Sequence, residues 1–541
     1  RRFPRPDVSP HGGAVGSCSM IPMKRKKLPI GIQTFSELRE GGYYYADKTG
    51  YAVDLAENGK YYFLSRPRRF GKSLFLDTLK DLFQGRKELF EGLQAENRWD
   101  WDKKYPVIHI SFSDGVVKTK GELNESIRET LRINRLALNA PLPVGLSETN
   151  YGGNFHELIR QAHKESGQRV VVLIDEYDKP ILDNITDRAI ATDMREGLKN
   201  LYSVLKGADA HLRFVFITGV SKFSKVSLFS GLNHLQDITL IPRYSAICGY
   251  TDEDIDTVFA PELEGLDRKR IKDYYNGYNW LGTGVYNPFD VLLLFSQREF
   301  KNHWIETGTP TFLIEQLFKR EVFTPDLERI FASEDLISTF DVDDIPIEAL
   351  MFQAGYLTIE YEIVLPAYKQ YALCFPNMEV KASMNRLLAQ KMMGDARAFG
   401  INGSHLYTAL LANDFEKLKK VFQQFFSSIP YNWYTNNPIA QYEGYYASIF
   451  YSHFAGLGVQ TQVEDATNHG RIDMTVLFNG NVYIFEFKVV ELVPEGKALA
   501  QIKQCNYADK YKNRNEPIHL IGVEFSKNNR NIVGFEVETM R

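Results

Sequence analysis

The 541-residue chain has only four cysteines, Cys18, Cys248, Cys374 and Cys505, far apart and with no CxxC pair among them. That argues against a disulfide-stapled fold and a cysteine-built zinc site, and a reducing cytoplasm is the simplest home. No apolar run approaches the roughly 20 residues that a membrane-spanning helix needs, and the N-terminus lacks the apolar stretch of a secretion signal. A soluble, cytoplasmic protein with no membrane partner is expected. Positive charge is not in excess either: 64 Lys and Arg face 68 Asp and Glu, a net −4. Nucleic acid therefore cannot be held by a generally basic surface, and any such contact has to be local. Internal repeats and low-complexity tracts are missing as well.

What is present is core material: 44% hydrophobic residues, with 36 Phe and 30 Tyr. A chain this long exceeds one hydrophobic core and should divide into several domains. Residues 1–27, rich in Pro, Gly, Ser and Arg, read as a disordered leader or an added segment, with Met20 or Met23 as a native start. The basic run Lys24 to Lys27 is expected to be a solvated tail. From 28 to 250, strand-like and helix-like stretches alternate, the pattern of a parallel sheet with crossover helices. Strands are expected at Tyr61 to Leu64, Pro106 to Phe112, Arg169 to Ile174 and Arg213 to Thr218. Residues 251–345 read as a helical lid, opened by Thr251 and three acids. Residues 346–428 read as a winged-helix-like unit and a helical linker, and 429–541 as a last small α/β domain.

Phe70-Gly71-Lys72-Ser73 stands at a strand-to-helix junction. A helix N-terminus offers free N–H groups and partial positive charge, so phosphates settle there; Lys72 would reach the β/γ-phosphates and Ser73 would ligate Mg²⁺. Arg69, Phe70, Gly71 and Leu74 complete the nucleotide-binding loop. It departs from the full G-x4-G-K-S/T pattern, because Arg66 stands where the first glycine belongs. Val170 to Ile174 followed by Asp175-Glu176 reads as a buried strand ending in two acids. Asp175 would hold Mg²⁺ and Glu176 would polarise the attacking water; the plainer alternative is a surface turn. Thr218 ends the next strand, where a polar group would sense the γ-phosphate. Lys222 or Lys225 would supply a charge-stabilising finger within or between subunits, which leaves room for a homo-oligomer, although a solvated loop explains them equally well.

The strings Arg66 to Ser73, Tyr45 to Thr49, Leu173 to Pro180, Gly219 to Ser224, Tyr274 to Tyr278 and Trp304 to Gly308 resemble the AAA-ATPase-like family of bacterial proteins, over nearly all of residues 28–541. The resemblance implies an AAA-like P-loop NTPase sheet and ATP as the nucleotide. It makes the missing first glycine a habit of the family, and it implies that Asp47 and Lys48, ahead of the loop, frame the base.

Near the C-terminus, Ile472 to Phe478 and Val482 to Phe487 flank Asn479-Gly480, a strong hairpin signal. Glu486 and Lys488 lie two apart and so share one face of a strand, with Asp473 close by. Two carboxylates can hold a divalent metal that polarises a phosphodiester and lowers the pKa of water, while a lysine steadies the nucleophile. Oxygen ligands select Mg²⁺, with Mn²⁺ as a substitute. This layout is the core of the PD-(D/E)XK nucleases, and the stretch resembles the nuclease domain found behind the AAA-ATPase-like domain. Glu443 would add a third carboxylate, and Gln501 would contact a phosphate or position Lys488. His163, His303 and His453 read as isolated surface or core histidines, and Trp433 and Tyr434 as core. The expectation is an ATP-regulated nuclease acting on DNA, in defence against or control of mobile elements. The rival is a switch-like NTPase whose last domain binds nucleic acid without cutting it.

Overall fold

The computed structural model describes residues 25–142, 146–147, 149–222, 228–229, 232, 234–304, 311–319, 324–338, 346–393, 396–428, 443–467 and 470–540. The leader up to residue 24, Lys225, Trp433 and Tyr434 lie outside them. Arg25 and Lys27 are already part of the fold: Arg25 bonds to Glu264 at 3.2 Å, and Lys27 is bridged to Tyr43.

The N-terminal sheet contains β1 (Tyr61–Ser65), β2 (Val107–Ser111), β3 (Val170–Asp175), β4 (Leu212–Gly219) and the short β5 (Gln236–Asp237), all paired parallel in the order β2-β3-β4-β1-β5. The four expected strands are each found within a residue or so of their ends. Their continuous Val, Ile, Leu and Phe content is what a parallel sheet covered on both faces requires. Strand β4 lies between β1 and β3, so the ends carrying Ser65, Thr218 and Asp175 stand side by side. Helix α1 (Lys72–Phe83) follows β1 directly, and α2 (Lys120–Ala137) flanks the edge strand β2. There Asn134 imitates a further strand: its Oδ1 accepts the His109 N–H at 2.9 Å and its Nδ2 donates to the His109 carbonyl at 2.8 Å.

The segment after 250 includes the helix α3 (Pro288–Gln297). The next strand comes earlier than the pattern implied. β6 (Ile330–Ser333) pairs with β8 (Lys369–Cys374), which pairs with β7 (Thr358–Val364), forming a three-stranded antiparallel sheet. This unit shares one continuous core with the α1 face of the large sheet, through Trp280, Trp304, Met351 and Tyr371 among others.

Helix α4 (Met378–Met393) leads to the C-terminal part. There α5 (Phe415–Ser428) and α6 (Glu443–Gly456) cover one face of a sheet built from β9 (Gln460–Thr467), β10 (Gly470–Phe478), β11 (Asn481–Val490), β12 (Ile518–Ser526) and β13 (Asn531–Met540), in the order β13-β12-β11-β10-β9. Leu418, Phe422, Phe425 and Phe426 of α5 pack in the same core as Phe485, Phe487 and Phe525. The helices ahead of residue 429 are thus built into the last domain, because the apolar sheet face needs that cover. The opposite face is covered by α7 (Lys497–Gln504) and the turn after it. Among the described residues no helix is long and apolar enough to cross a membrane.

Candidate functional site: a nucleotide loop and a paired-carboxylate hairpin

The loop between β1 and α1 opens onto a cavity of about 510 Å³, lined by Arg68, Arg69, Phe70, Gly71, Lys72, Ser73, Leu74, Glu176 and Lys48. Gly71 adopts φ 89 as the residue before α1, a left-handed conformation that a side chain would strain. The Lys72 ammonium is buried and donates to the Pro67 carbonyl at 2.8 Å. Burial pushes it below the usual lysine range, and the Asp175 and Glu176 charges oppose that shift. Asp175 is 3% exposed and accepts the Glu176 N–H at 3.0 Å. Glu176 is held at φ 50, an uncommon conformation for a non-glycine residue that is characteristic of functional turns. Burial raises its carboxyl above the ordinary range, opposed by Lys72. One ammonium and two carboxylates therefore stand at or beside this cavity. Ser73 Oγ and the Asp175 carboxylate are hard oxygen donors of the type Mg²⁺ takes.

The Phe70 ring is buried edge-on to Tyr278 and Trp280, at 4.7 and 5.4 Å, while its carbonyl accepts the Gly249 N–H at 3.0 Å. Thr218 is fully buried, and its Oγ1 makes no hydrogen bond. Lys48 reaches the cavity but is paired with Asp254 at 2.8 Å. The Asp47 carboxylate is turned to structural work, accepting from Thr49 N–H and Oγ1 and from the Gln94 N–H. Lys222 is buried and paired with Asp237 at 2.9 Å. Three participants carried no sequence signal strong enough to be singled out. Asp178 is buried and binds the Ser221 N–H at 2.7 Å and hydroxyl at 2.6 Å, which ties the β3 turn to the end of β4. Tyr250 and Phe289 line the cavity from segments more than 170 residues beyond the loop.

In the C-terminal sheet, β10 and β11 form a hairpin with Phe478 opposite Asn481. Asn479 and Gly480 have φ 48 and 70, the positive pair that a tight turn of the primed type needs. From that register, alternation places Thr475, Glu486 and Lys488 on the face that α7 covers, continuous with Val482 and Ile484, while the pairing of β10 with β11 ends at Met474, one residue after Asp473. The three residues singled out from sequence are brought together there. Asp473 Oδ2 accepts the Phe487 N–H at 2.8 Å, reaching across to the partner strand. Lys488 Nζ lies 3.2 Å from Glu486 Oε1 and donates to the Phe487 carbonyl at 3.0 Å. Glu486 is fully buried at the centre of a strongly apolar strand. A carboxylate is costly to bury there unless a charge compensates it, and the lysine supplies one.

Gln501 of α7 bonds to the hydroxyl of Tyr507, a phenol that also feels the Glu486 charge, so the glutamine is linked to the carboxylate through a residue the sequence reading had not singled out. Glu524 is a further unanticipated group: buried at 2% exposure, it accepts the N–H groups of Glu495 and Lys497 and so seats the start of α7. Glu443 opens α6, which lies against β9, β10 and β11, but its side chain is outside the described residues. Among the described residues no three His, Cys, Asp or Glu side chains converge; two carboxylates and one lysine are what the site offers. That oxygen-only donor set fits a hard divalent ion.

His303 and His453 are buried, whereas His163 is not isolated: its Nδ1 lies 2.9 Å from Nδ1 of His211.

Comparison with known proteins agrees with both halves. Residues 29–229 match the family model described as a predicted AAA-ATPase, and residues 441–535 match that of the PD-(D/E)XK nuclease superfamily. A protein of Azotobacter chroococcum mcd 1, described as an uncharacterized protein in the vnfD 5′ region, is 60% identical over 519 residues, which cover 96% of this chain and 100% of the relative. The chain therefore belongs to the AAA-ATPase-like proteins that carry a C-terminal PD-(D/E)XK nuclease superfamily domain.

Proposed function

We propose that the protein binds and hydrolyses ATP and that this nucleotide site regulates a Mg²⁺-dependent nuclease acting on DNA, in defence against or control of mobile elements. It is proposed to work in the cytoplasm. The observation that carries the cutting activity is that Asp473 bonds to the Phe487 N–H at 2.8 Å, between Glu486 and Lys488, whose ammonium lies 3.2 Å from the Glu486 carboxylate. In the nucleotide half, Lys72 moves from the Pro67 carbonyl to the phosphates, Ser73 and Asp175 hold the ion, and Glu176, with its raised pKa, accepts a proton from the attacking water. In the nuclease half, Asp473 and Glu486 hold Mg²⁺ or Mn²⁺. The ion supplies Lewis acidity and a more acidic water when bound. Lys488 orients the nucleophile and balances charge on the phosphodiester, Gln501 and Tyr507 steady the layer beneath, and Glu443 adds a third carboxylate from α6.

The test is plasmid nicking by the purified chain with Mg²⁺ or Mn²⁺. The wild type nicks, Lys488→Ala does not, and both bind ATP with equal affinity; Lys72→Ala loses ATP binding. Equal nicking by wild type and Lys488→Ala removes the nuclease assignment, and undiminished ATP affinity in Lys72→Ala removes the nucleotide assignment. The second reading, binding of nucleic acid without cleavage, is favoured if the wild type retards DNA but leaves it whole under every divalent ion.

A further inference from the structure

The strand that carries Glu486 and Lys488 runs straight into a loop with an apolar tip. Residues 491–496 follow β11 directly, and Leu492 and Val493 are 55% and 63% exposed. Two successive large aliphatic side chains in water add nothing to the fold, since only burial makes them stabilising. The loop is pinned at both ends, so it holds them out. At its start the Val490 carbonyl accepts the Lys527 N–H at 2.8 Å, and the Glu491 carbonyl accepts the Ser526 hydroxyl at 3.0 Å. At its end the Glu524 carboxylate accepts the N–H groups of Glu495 and Lys497. Pro494 lies against β13, so close that a Cβ added at Gly534 would stand 3.1 Å from the Pro494 Cβ.

Geometry ties this tip to the paired-carboxylate site. Glu524, which fastens the loop, is the register partner of Lys488 across β11 and β12. Leu492 comes four residues after Lys488, so the chain between them spans no more than about 14 Å, roughly four base steps at about 3.4 Å each. Beside the loop runs the turn from β12 to β13, Lys527-Asn528-Asn529-Arg530, whose Asn528 N–H donates to the Glu491 carbonyl at 3.5 Å. Lys527, Asn528 and Asn529 are exposed there, cationic and amide groups of the kind that meet phosphates. The acids flanking the tip are matched, Glu491 by Lys527 at 3.8 Å and Glu495 by Lys497. Two aliphatic side chains are too small a patch to hold a second copy of the chain, since a stable interface takes about 800 Å² from each partner. They are the size of wedge that enters one base step.

We propose that Leu492 and Val493 form a wedge that enters between the bases of DNA held at the hairpin, so that the substrates cut best carry unpaired or weakly stacked bases within about four steps of the scissile phosphate. The inference rests on the nuclease reading given above. Phosphates held beside the 527–530 turn fix the strand, the wedge takes the place of a neighbour in the stack, and the two side chains exchange water for base faces. Opening a paired step costs stacking and pairing. A step that is already unpaired costs little, and the difference becomes a preference in cleavage rate.

The test uses the full chain and three end-labelled duplexes: one fully paired, one with a short central bubble, and the bubble duplex with 2-aminopurine at the junction. Nicking is timed with Mn²⁺, and 2-aminopurine fluorescence is followed with Ca²⁺ in its place. The wild type nicks the bubble at least about tenfold faster than the paired duplex, within about four nucleotides of the junction, and raises the fluorescence on binding. The double variant Leu492→Ser, Val493→Ser brings the rate ratio close to one and loses the fluorescence rise. Its fold is checked by denaturation midpoint and Mn²⁺ calorimetry, and the pair Leu492→Met, Val493→Ile, which keeps an apolar tip, restores the preference. Equal wild-type rates on both duplexes, or a preference and fluorescence rise that survive the serine substitutions, overturn the wedge while sparing the nuclease assignment. A fluorescence rise that the serine variant loses, with no duplex nicked by the wild type, supports the wedge and removes the cutting. A wild type that neither nicks nor shifts the fluorescence overturns both.

Discussion

The Arg66 guanidinium lies 4.0 Å above the ring of Trp280, fully buried, with Nη1 donating to the carbonyls of Ser65 and Thr239 and Nη2 to that of Tyr244. Its burial lowers its pKa to about 10, still far above neutral, so the cation persists. The residue that spoils the glycine pattern is therefore a post that joins the loop to β5 and to the unit beyond it.

Restoring the glycine should consequently harm the protein. Arg66→Gly removes the cation over Trp280 and the donor to three buried carbonyls, a cost on the order of 3 kcal/mol or more. The expected result is a lower denaturation midpoint with no gain in ATP affinity; an unchanged midpoint would refute the structural role.

At the hairpin, Glu486→Gln keeps size and removes charge, so metal affinity and nicking should fall together. Lys488→Met should leave divalent binding intact while the cleavage rate drops by about 10²-fold or more, the scale for one lost charge-stabilising group. Calorimetry with Mn²⁺ alongside plasmid nicking separates the two. A Lys488→Met protein that cleaves at the wild-type rate would dismiss the lysine from the chemistry.

His453 supplies a pH dependence. It is fully enclosed near Phe399, Phe422 and Phe425, and burial lowers its pKa to about 4, slightly offset by the Ile449 carbonyl. The folded value lies below the unfolded one, so the unfolded chain binds the proton more readily. Stability is then present above about pH 6.5 and is lost as pH falls toward 4, by on the order of 3 kcal/mol in all. His453→Leu should flatten that part of the stability profile. Identical acid sensitivity in the two proteins would show that other groups dominate.

Asn134 guards the β2 edge with two hydrogen bonds to His109. Asn134→Ala should cost about 1–3 kcal/mol and leave an open strand edge that pairs with other chains. Light scattering during mild heating is the check, with Asn134→Gln as a control of altered reach. An alanine variant as soluble as the wild type would mean that α2 alone covers the edge.

Much of this molecule was legible from its order of residues, where function depends on local spacing. Gly71-Lys72-Ser73 must sit between a strand and a helix, Asp175-Glu176 must end a buried strand, and an Asn-Gly turn with residues two apart puts Glu486 and Lys488 on one face whatever surrounds them. Periodicity and turn chemistry act over a few residues, so those conclusions needed no partner. Tertiary structure alone decided the rest. Helices ahead of residue 429 joined the nuclease core because a sheet face must be covered, and β6 found β8 across nearly forty residues. Arg66 met Trp280, and Asp47 turned to Thr49 and Gln94. Such pairings are set by which surfaces pack in three dimensions, and an isolated stretch of sequence carries no record of its distant neighbours.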